Sequence, residues 1–471
     1  MAEGRINADK LAGVIGAWLV AGNGGTVFKG ISTDSRQLQR GQLFWALKGE
    51  RFDGHEFVEK ALERGAAGAV VEENQAERFS RLPGTILAVK DTLYALGELA
   101  RWWRKNSEVR LGAVTGSVGK TTTKEMAAKI LSIKHNTLKT EGNFNNLIGL
   151  PLTLFRLEEG HGRAVVEMGM NRPGEIARLT QIADPDVGVI TEVGIAHLEG
   201  LGSLLGVAQA KLEMAQEMRE DSPLVINGDN EILMDLARQY GRNTLSFGLG
   251  RHNDVRAVEI GQAEECGSSF TLVYGNQEAK VSLKVPGLHN VMNGLAAAGL
   301  CIAMGEGLDT ISQGLGAFYG IKGRFEIVRL GSKATLIDDT YNANPVSLKA
   351  ALDAVEGMLY SGRSLIVGLG DMLELGEESE RAHVEAGTWV GRLNPKLFIC
   401  IGQYAEQMAE GARKAGMEKA RTVVANDTGQ MAHFIERNLE QGDVILIKGS
   451  RKVGLDEVRV LLVEALGEPG N

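Results

Sequence analysis

Leu111-Gly-Ala-Val-Thr-Gly-Ser-Val-Gly-Lys-Thr-Thr-Thr123 is an apolar run that ends in a glycine-bearing, hydroxyl-rich loop. It passes directly into the helix-forming segment Lys124-Glu-Met-Ala-Ala-Lys-Ile-Leu131. Strand, loop and helix in that order form a phosphate cradle: glycines let backbone N–H groups turn inward, and the helix N-terminus adds positive partial charge. Thr115, Gly116, Ser117, Val118, Gly119 and Thr122 are expected to line the cradle. Lys120 is expected to reach the β- and γ-phosphates, and Thr121 to offer its hydroxyl to Mg²⁺. The general pattern G-x-x-x-x-G-K-[ST] asks for glycine where this chain has Val114. The stretch predicts a nucleoside-triphosphate site at the edge of a largely parallel sheet.

Working outward, 471 residues at roughly 150 per domain suggest about three domains. A formal charge of −9, from 60 acidic and 51 basic residues, argues against nucleic acid or an anionic membrane as the main partner. Any anionic substrate must find its positive partners locally. Cys266, Cys301 and Cys400 are far apart and form no metal or disulfide pattern, which suits a reducing cytoplasm. Residues 11–22 imitate the apolar core of a signal peptide. Leu11, Val14, Ile15, Trp18 and Leu19 share one helical face, however, and Glu3 and Asp9 replace the basic cluster, so a core-facing helix capped near Asn7 is expected. No run is long enough for a transmembrane span.

The fold class expected is α/β in three parts: a small α/β domain over 1–90, a central mostly parallel sheet over 91–321, and a doubly wound, Rossmann-like domain over 322–471. In the first, the loops around Ile31-Ser-Thr-Asp-Ser-Arg36 and Lys48-Gly-Glu-Arg-Phe-Asp-Gly-His55 make Ser35, Arg36, Lys48 and Asp53 candidates for holding a phosphate and a sugar or base. In the second, Glu167 and His197 fall at or just beyond the ends of strands at 164–169 and 187–191, where ligands of parallel sheets bind. Glu167 with Thr121 makes an oxygen-donor pair suited to Mg²⁺. On chemistry alone His197 fits an acid/base or phosphate-contacting role. Shorter β-rich pieces follow between 243 and 285, and then a helix beginning near Pro286. In the third, strands at 334–337, 364–367, 397–401, 422–424 and 444–447 alternate with helices. The loops after three of them form a second binding face.

Several stretches together resemble the Mur ligases of peptidoglycan synthesis, and the resemblance covers nearly the whole chain. They are Thr115-Gly-Ser-Val-Gly-Lys-Thr-Thr122, Gly142-Asn-Phe-Asn-Asn-Leu-Ile-Gly-Leu-Pro-Leu-Thr153, Glu167-Met-Gly-Met-Asn-Arg-Pro-Gly-Glu-Ile176, Gly194-Ile-Ala-His-Leu-Glu199, Asp338-Asp-Thr-Tyr-Asn-Ala-Asn-Pro345 and Gly370-Asp-Met-Leu-Glu-Leu-Gly376. The resemblance accounts for Val114, because the family loop resembles a shortened T-G-x-x-G-K-T. Within the family, the pieces look like the branch that joins D-alanyl-D-alanine to a UDP-N-acetylmuramoyl tripeptide at the expense of ATP.

The resemblance implies a carbamylated Lys211, whose anionic carbamate would be an oxygen ligand. It also moves His197 to the metal site, beside Thr121, Glu167 and Lys211, and places Lys120, Glu167, His197 and Lys211 in catalysis. Asn290, Arg324, Asp339 and Asn342 are implied as ATP contacts, and the first domain as the holder of the UDP moiety. Asn143 and Asn146 are expected near substrate. Asp371, Lys448 and Arg451 are position-based candidates for the dipeptide pocket. A cytoplasmic monomer with a hinge near 321–323 is expected. Two alternatives stay open: a folylpolyglutamate-synthase-like ligase, and a P-loop switch that holds or hydrolyses nucleotide.

Overall fold

The computed structural model describes residues 6–49, 52–194, 201, 203–263, 267–331, 334–359 and 363–467. The first sheet contains β1 (Trp18–Ala21), β2 (Ile31–Ser32), β3 (Leu43–Trp45), β4 (Gly68–Glu72) and β5 (Thr85–Val89), in the order β1-β5-β4-β3-β2. Only β1 runs antiparallel.

Asn7 caps the Ala8–Ile15 helix by accepting a hydrogen bond from Lys10 N–H, as expected from sequence. The expected helical face nevertheless stops short. Gly16 adopts φ 65° and closes the helix, so Trp18 and Leu19 lie on the edge strand β1, 43% and 42% exposed. Their helical spacing was a coincidence of two adjacent elements.

The Thr92–Lys105 helix leaves this sheet and buries Ala95, Leu96, Leu99 and Ala100. One apolar core consequently runs from Trp45, Val70 and Leu87 into Leu111, Ala113 and Val166 of the next sheet. At its far end Arg104 donates to the Ala183 carbonyl at 3.1 Å and pairs with Asp186 at 2.8 Å.

The second sheet has nine strands: β6 (Arg110–Thr115), β7 (Thr137–Lys139), β8 (Arg163–Glu167), β9 (Val187–Ile190), β10 (Leu224–Asn227), β11 (Thr244–Gly248), β12 (Val255–Gln262), β13 (Ser268–Tyr274) and β14 (Gln277–Leu283). The order is β14-β13-β12-β11-β10-β9-β6-β8-β7, parallel from β7 to β12 and antiparallel beyond. The chain steps from β6 to one side for β8 and to the other for β9, so a crevice opens at the carboxyl end of β6. Thr115, Glu167 and Asn227 end their strands on that edge.

The third sheet contains β15 (Glu326–Leu330), β16 (Ala334–Asp339), β17 (Leu365–Gly370), β18 (Leu397–Ile401), β19 (Thr422–Val424) and β20 (Asp443–Lys448), ordered β15-β16-β20-β17-β18-β19. Only β15 is antiparallel. Helices cover both faces, with separate apolar cores on each side. The Asn-Pro that ends the Tyr-Asn-Ala-Asn-Pro motif has a local cause: Asn344 and Ser347 form a capping box, and Pro345 opens the Pro345–Glu356 helix. Among the described residues no helix is long and apolar enough to cross a membrane.

Candidate active site

The carboxyl edges of the second and third sheets face each other across a cleft of about 650 Å³. The phosphate loop forms one wall. Gly119 adopts φ 83° at the N-cap of the Lys120–Leu131 helix. At Gly116 an added Cβ would lie 2.0 Å from Thr191 Oγ1, so only glycine lets the loop lie so close to its neighbour.

The rest of the loop is pinned from behind. Thr115 Oγ1 donates to the Met168 carbonyl at 3.0 Å, Thr191 Oγ1 donates to the Val118 carbonyl at 2.5 Å, and Ser117 N–H donates to the Glu192 carbonyl at 2.8 Å. Ser117 Oγ donates to the Gly194 carbonyl at 3.0 Å and receives the Gly194 N–H at 3.1 Å. Lys120 Nζ folds over its own loop to the Gly116 carbonyl at 2.8 Å. Burial lowers its pKa, against the pull of the Glu167 and Glu374 carboxylates, while the Arg324 charge adds to the lowering. Ser117, Val118, Thr121 and Thr122 all border the cleft.

Glu167 is 2% exposed at the end of β8 and borders the same cleft. Its Oε1 accepts from Asn145 Nδ2 at 2.9 Å, while Oε2 is buried without a hydrogen-bond partner. A buried anionic oxygen left open is costly in isolation and suits a cation. No group of three or more His, Cys, Asp or Glu side chains fit for a metal occurs among the described residues. Thr121 and Glu167 are an oxygen-donor pair of the kind that suits an ion such as Mg²⁺, which keeps several waters and takes phosphate oxygens.

Lys211, on the Leu204–Glu217 helix, is 1% exposed. Burial pushes its pKa well below the usual lysine range, and the Lys120 charge lowers it further. His197 lies outside the described residues. Asn146 borders the cleft, with Oδ1 accepting from Ile148 N–H at 3.1 Å and Gly149 N–H at 2.8 Å. Asn143 is exposed on the same loop.

The opposite wall belongs to the third sheet. Arg324, Asp339, Tyr341, Asn342 and Lys448 border the cleft together with Asn290 from the Leu288–Ala303 helix. Asn290 Nδ2 donates to the Pro286 carbonyl at 2.7 Å. Lys448 was expected in a dipeptide pocket. It donates to Asp339 Oδ2 at 2.6 Å and the Asn342 carbonyl at 2.9 Å and borders the cleft, because β16 and β20 are neighbours with Asp339 opposite Lys448. Asp371, the other expected dipeptide-pocket carboxylate, is 7% exposed, and its oxygens accept Gln403 N–H at 2.7 Å and Tyr404 N–H at 3.0 Å. Arg324 and Arg451 stack on the Tyr341 ring at 4.0 and 5.2 Å.

None of the four first-sheet candidates lines this cleft. Arg36 forms a surface pair with Asp34 at 2.8 Å, and the Ser35 carbonyl accepts from Arg64 at 2.7 Å. Asp53 has a structural setting: it caps the Gly54–Phe57 turn and bonds buried His55 Nδ1 at 2.6 Å, whose Nε2 accepts Glu72 N–H at 2.9 Å. Lys48 bridges to Asp53 through the backbone.

Glu192 is a further carboxylate bordering the cleft that no sequence motif marks. It stands just beyond the end of β9 much as Glu167 ends β8, and that likeness was the available signal. Its carboxylate accepts Asn227 Nδ2 at 2.6 Å, Val193 N–H at 3.0 Å and Asn230 Nδ2. Burial raises its pKa.

Three family models match the chain: Mur ligase family, catalytic domain, over residues 27–104; Mur ligase middle domain, over 114–301; and Mur ligase, glutamate ligase domain, over 323–451. The UDP-N-acetylmuramoyl-tripeptide--D-alanyl-D-alanine ligase of Bacillus subtilis is 38% identical over 443 residues, spanning 93% of this chain and 94% of that protein. MurF from Acinetobacter baumannii superposes with a TM-score of 0.89 at 33% identity, covering 98% of this chain and 99% of that one. MurF from Thermotoga maritima in complex with ADP superposes at 0.82 and 29% identity, covering 93% and 97%. With three successive domains matched along its length and this shared three-sheet fold, the chain belongs to the Mur ligase family.

Proposed function

We infer that this chain is an ATP-dependent ligase that joins D-alanyl-D-alanine to a UDP-N-acetylmuramoyl tripeptide and yields the pentapeptide precursor of peptidoglycan. The observation that carries this is the cleft itself. A phosphate loop on one sheet edge faces a basic and polar wall on another, in a chain similar over 93% of its length to a ligase of that name.

The chemistry needs no nucleophilic side chain. The tripeptide's terminal carboxylate attacks the γ-phosphorus of ATP, the bond to the bridging oxygen breaks, and ADP leaves behind an acyl phosphate. The dipeptide's amine then attacks the carbonyl carbon, and the tetrahedral intermediate releases phosphate as the amide forms. The chain's task is to align the reactants and offset negative charge. The N–H groups of Gly116 and of 118–120, with the Lys120 ammonium, do this at the phosphates, while Asn290, Arg324, Asp339 and Asn342 hold the rest of the nucleotide.

Thr121 and the open Glu167 Oε2 would hold Mg²⁺, with His197 as a further ligand; when bound, the ion offsets phosphate charge. Lys211 joins them as a carbamate. Its burial favours the neutral amine, the form that combines with carbon dioxide, and the product is an anionic oxygen donor.

The working division is 1–90 for the UDP moiety, with Ser35, Arg36, Lys48 and Asp53 near it, 91–321 for ATP, and 322–471 for the incoming dipeptide, with Asp371, Lys448 and Arg451 as its candidates. Asn143 and Asn146 lie on the loop that meets the tripeptide. The enzyme acts as a cytoplasmic monomer on small molecules, without nucleic acid.

Release of ADP measured with each substrate omitted in turn tests the reading. Strict dependence on both the UDP-tripeptide and D-alanyl-D-alanine is expected. Turnover with nucleotide alone would indicate a switch-like nucleotidase and overturn it.

A further inference from the structure

One turn beyond Lys120, the same helix carries a second lysine that the reaction above does not use. Lys124 is 1% exposed, and its Nζ donates to the Thr140 carbonyl at 2.7 Å. Its ion-pair partner is the adjacent Glu125, at 2.8 Å, which also holds Lys139. Glu125 thus keeps a cation without Lys124. An ammonium taken so far from water is expensive to bury, so what it grips is informative.

Thr140 is a junction. Its N–H donates to the Val165 carbonyl at 3.1 Å, its Oγ1 accepts the Glu167 N–H at 3.0 Å, and its carbonyl accepts Lys124. From Thr140 the chain loops out and returns as Asn145, whose Nδ2 holds Glu167 Oε1 at 2.9 Å and whose carbonyl accepts Gly169 N–H at 2.8 Å. Glu167 is thereby held twice by one segment, at its backbone and at its carboxylate, and Lys124 anchors that segment. Lys120 and Lys124, four residues apart, project from one face of the helix that also bears Thr121.

We propose that Lys124 is a positioning residue: by tying the phosphate-loop helix to Thr140 it sets the spacing between the Thr121 hydroxyl and the open Glu167 oxygen, and so shapes the seat of the divalent cation. The inference rests on the reading that places the cation between those two groups. Lys124 touches neither cation nor substrate and acts through Thr140 and Asn145.

The probe is Mn²⁺, titrated by electron paramagnetic resonance into the full chain with a non-hydrolysable ATP analogue. Affinity for the analogue alone is measured by calorimetry in chelator. Lys124→Met should weaken Mn²⁺ binding about ten-fold, the lower range for partners that orient metal ligands, with analogue affinity in chelator within about two-fold of the parent. Lys124→Gln, gentler on the core, carries the same expectation and serves where the Met variant does not fold. Folded variants that bind Mn²⁺ within about two-fold of the parent overturn the proposal and leave Lys124 a structural residue only. Glu167→Gln separates the two layers. If it leaves Mn²⁺ affinity unchanged, the cation reading itself fails; if it weakens Mn²⁺ while the Lys124 variants do not, only the role of Lys124 falls.

Discussion

Replacing Asp339 with Ala should strand a buried charge, and the structure supplies the terms. Asp339 ends β16 opposite Lys448 at the end of β20. Lys448 Nζ lies 2.6 Å from Asp339 Oδ2, with the two side chains 2% and 14% exposed. The other oxygen accepts the Phe325 N–H at 3.1 Å, at a residue held at φ 53°. After Asp339→Ala, the Asn342 carbonyl at 2.9 Å remains as an acceptor for Lys448. Removing one partner of a buried pair costs about 3–5 kcal/mol, and an unmet backbone N–H about 1 more. The expected loss is therefore about 4–6 kcal/mol, a large part of the ~5–15 kcal/mol that holds most proteins folded. Adding Lys448→Met removes the stranded charge, and the double variant should sit within about 1–2 kcal/mol of the parent. Urea unfolding followed by circular dichroism, with hydrogen exchange along the β16–β20 ladder, measures both. A loss below about 1 kcal/mol in Asp339→Ala, or a double variant as unstable as the sum of the singles, would refute the reasoning.

Other outcomes follow from the same geometry. Gly116→Ala forces a Cβ to within 2.0 Å of Thr191 Oγ1 at a φ of 151°; ATP affinity by calorimetry should fall about ten-fold or more with the fold retained, and unchanged affinity would contradict the cradle. Lys211→Ala should abolish ligation, with partial recovery in small carboxylic acids that replace the carbamate; full activity in the plain variant would remove the carbamate from the scheme. His289 is held neutral, its pKa lowered from 6.5 to about 4 by burial and then by the Lys448 charge. Its contribution to stability is thus complete above pH 6.5 and lost as pH falls toward 4, by on the order of 3 kcal/mol. Parent and His289→Gln stabilities should converge across that window; parallel curves would show that the ring does not titrate this way. For closure, small-angle scattering should show compaction when ATP analogue and UDP-tripeptide are both present, with the turn at 321–323 as hinge, and an unchanged radius would count against it.

Sequence by itself determined the features that depend on neighbours along the chain. The strand, glycine turn and helix at 110–131, the cap at Asn7 and five of the six strands of the third sheet follow from local hydrogen bonding and side-chain periodicity, whereas β15 and the capping box at Asn344 emerged only from the structure. The motifs that name the family are also contiguous, so the resemblance was legible before any folding. Trp18 and Leu19 mark the limit of that reading, since their spacing fits a helix that Gly16 had already ended.

Tertiary structure alone decided what meets across the sheets. Lys448 finds Asp339 109 residues away, Asn145 reaches Glu167 across 22, and Glu192 collects Asn227 and Asn230 from the next strand end. Such partnerships come from strand order and register, set by burial of whole sheet faces, and a side chain's own neighbours carry no trace of them. The phosphate loop could be read from thirteen residues; the cleft that makes it a ligase site required both sheet edges to face each other.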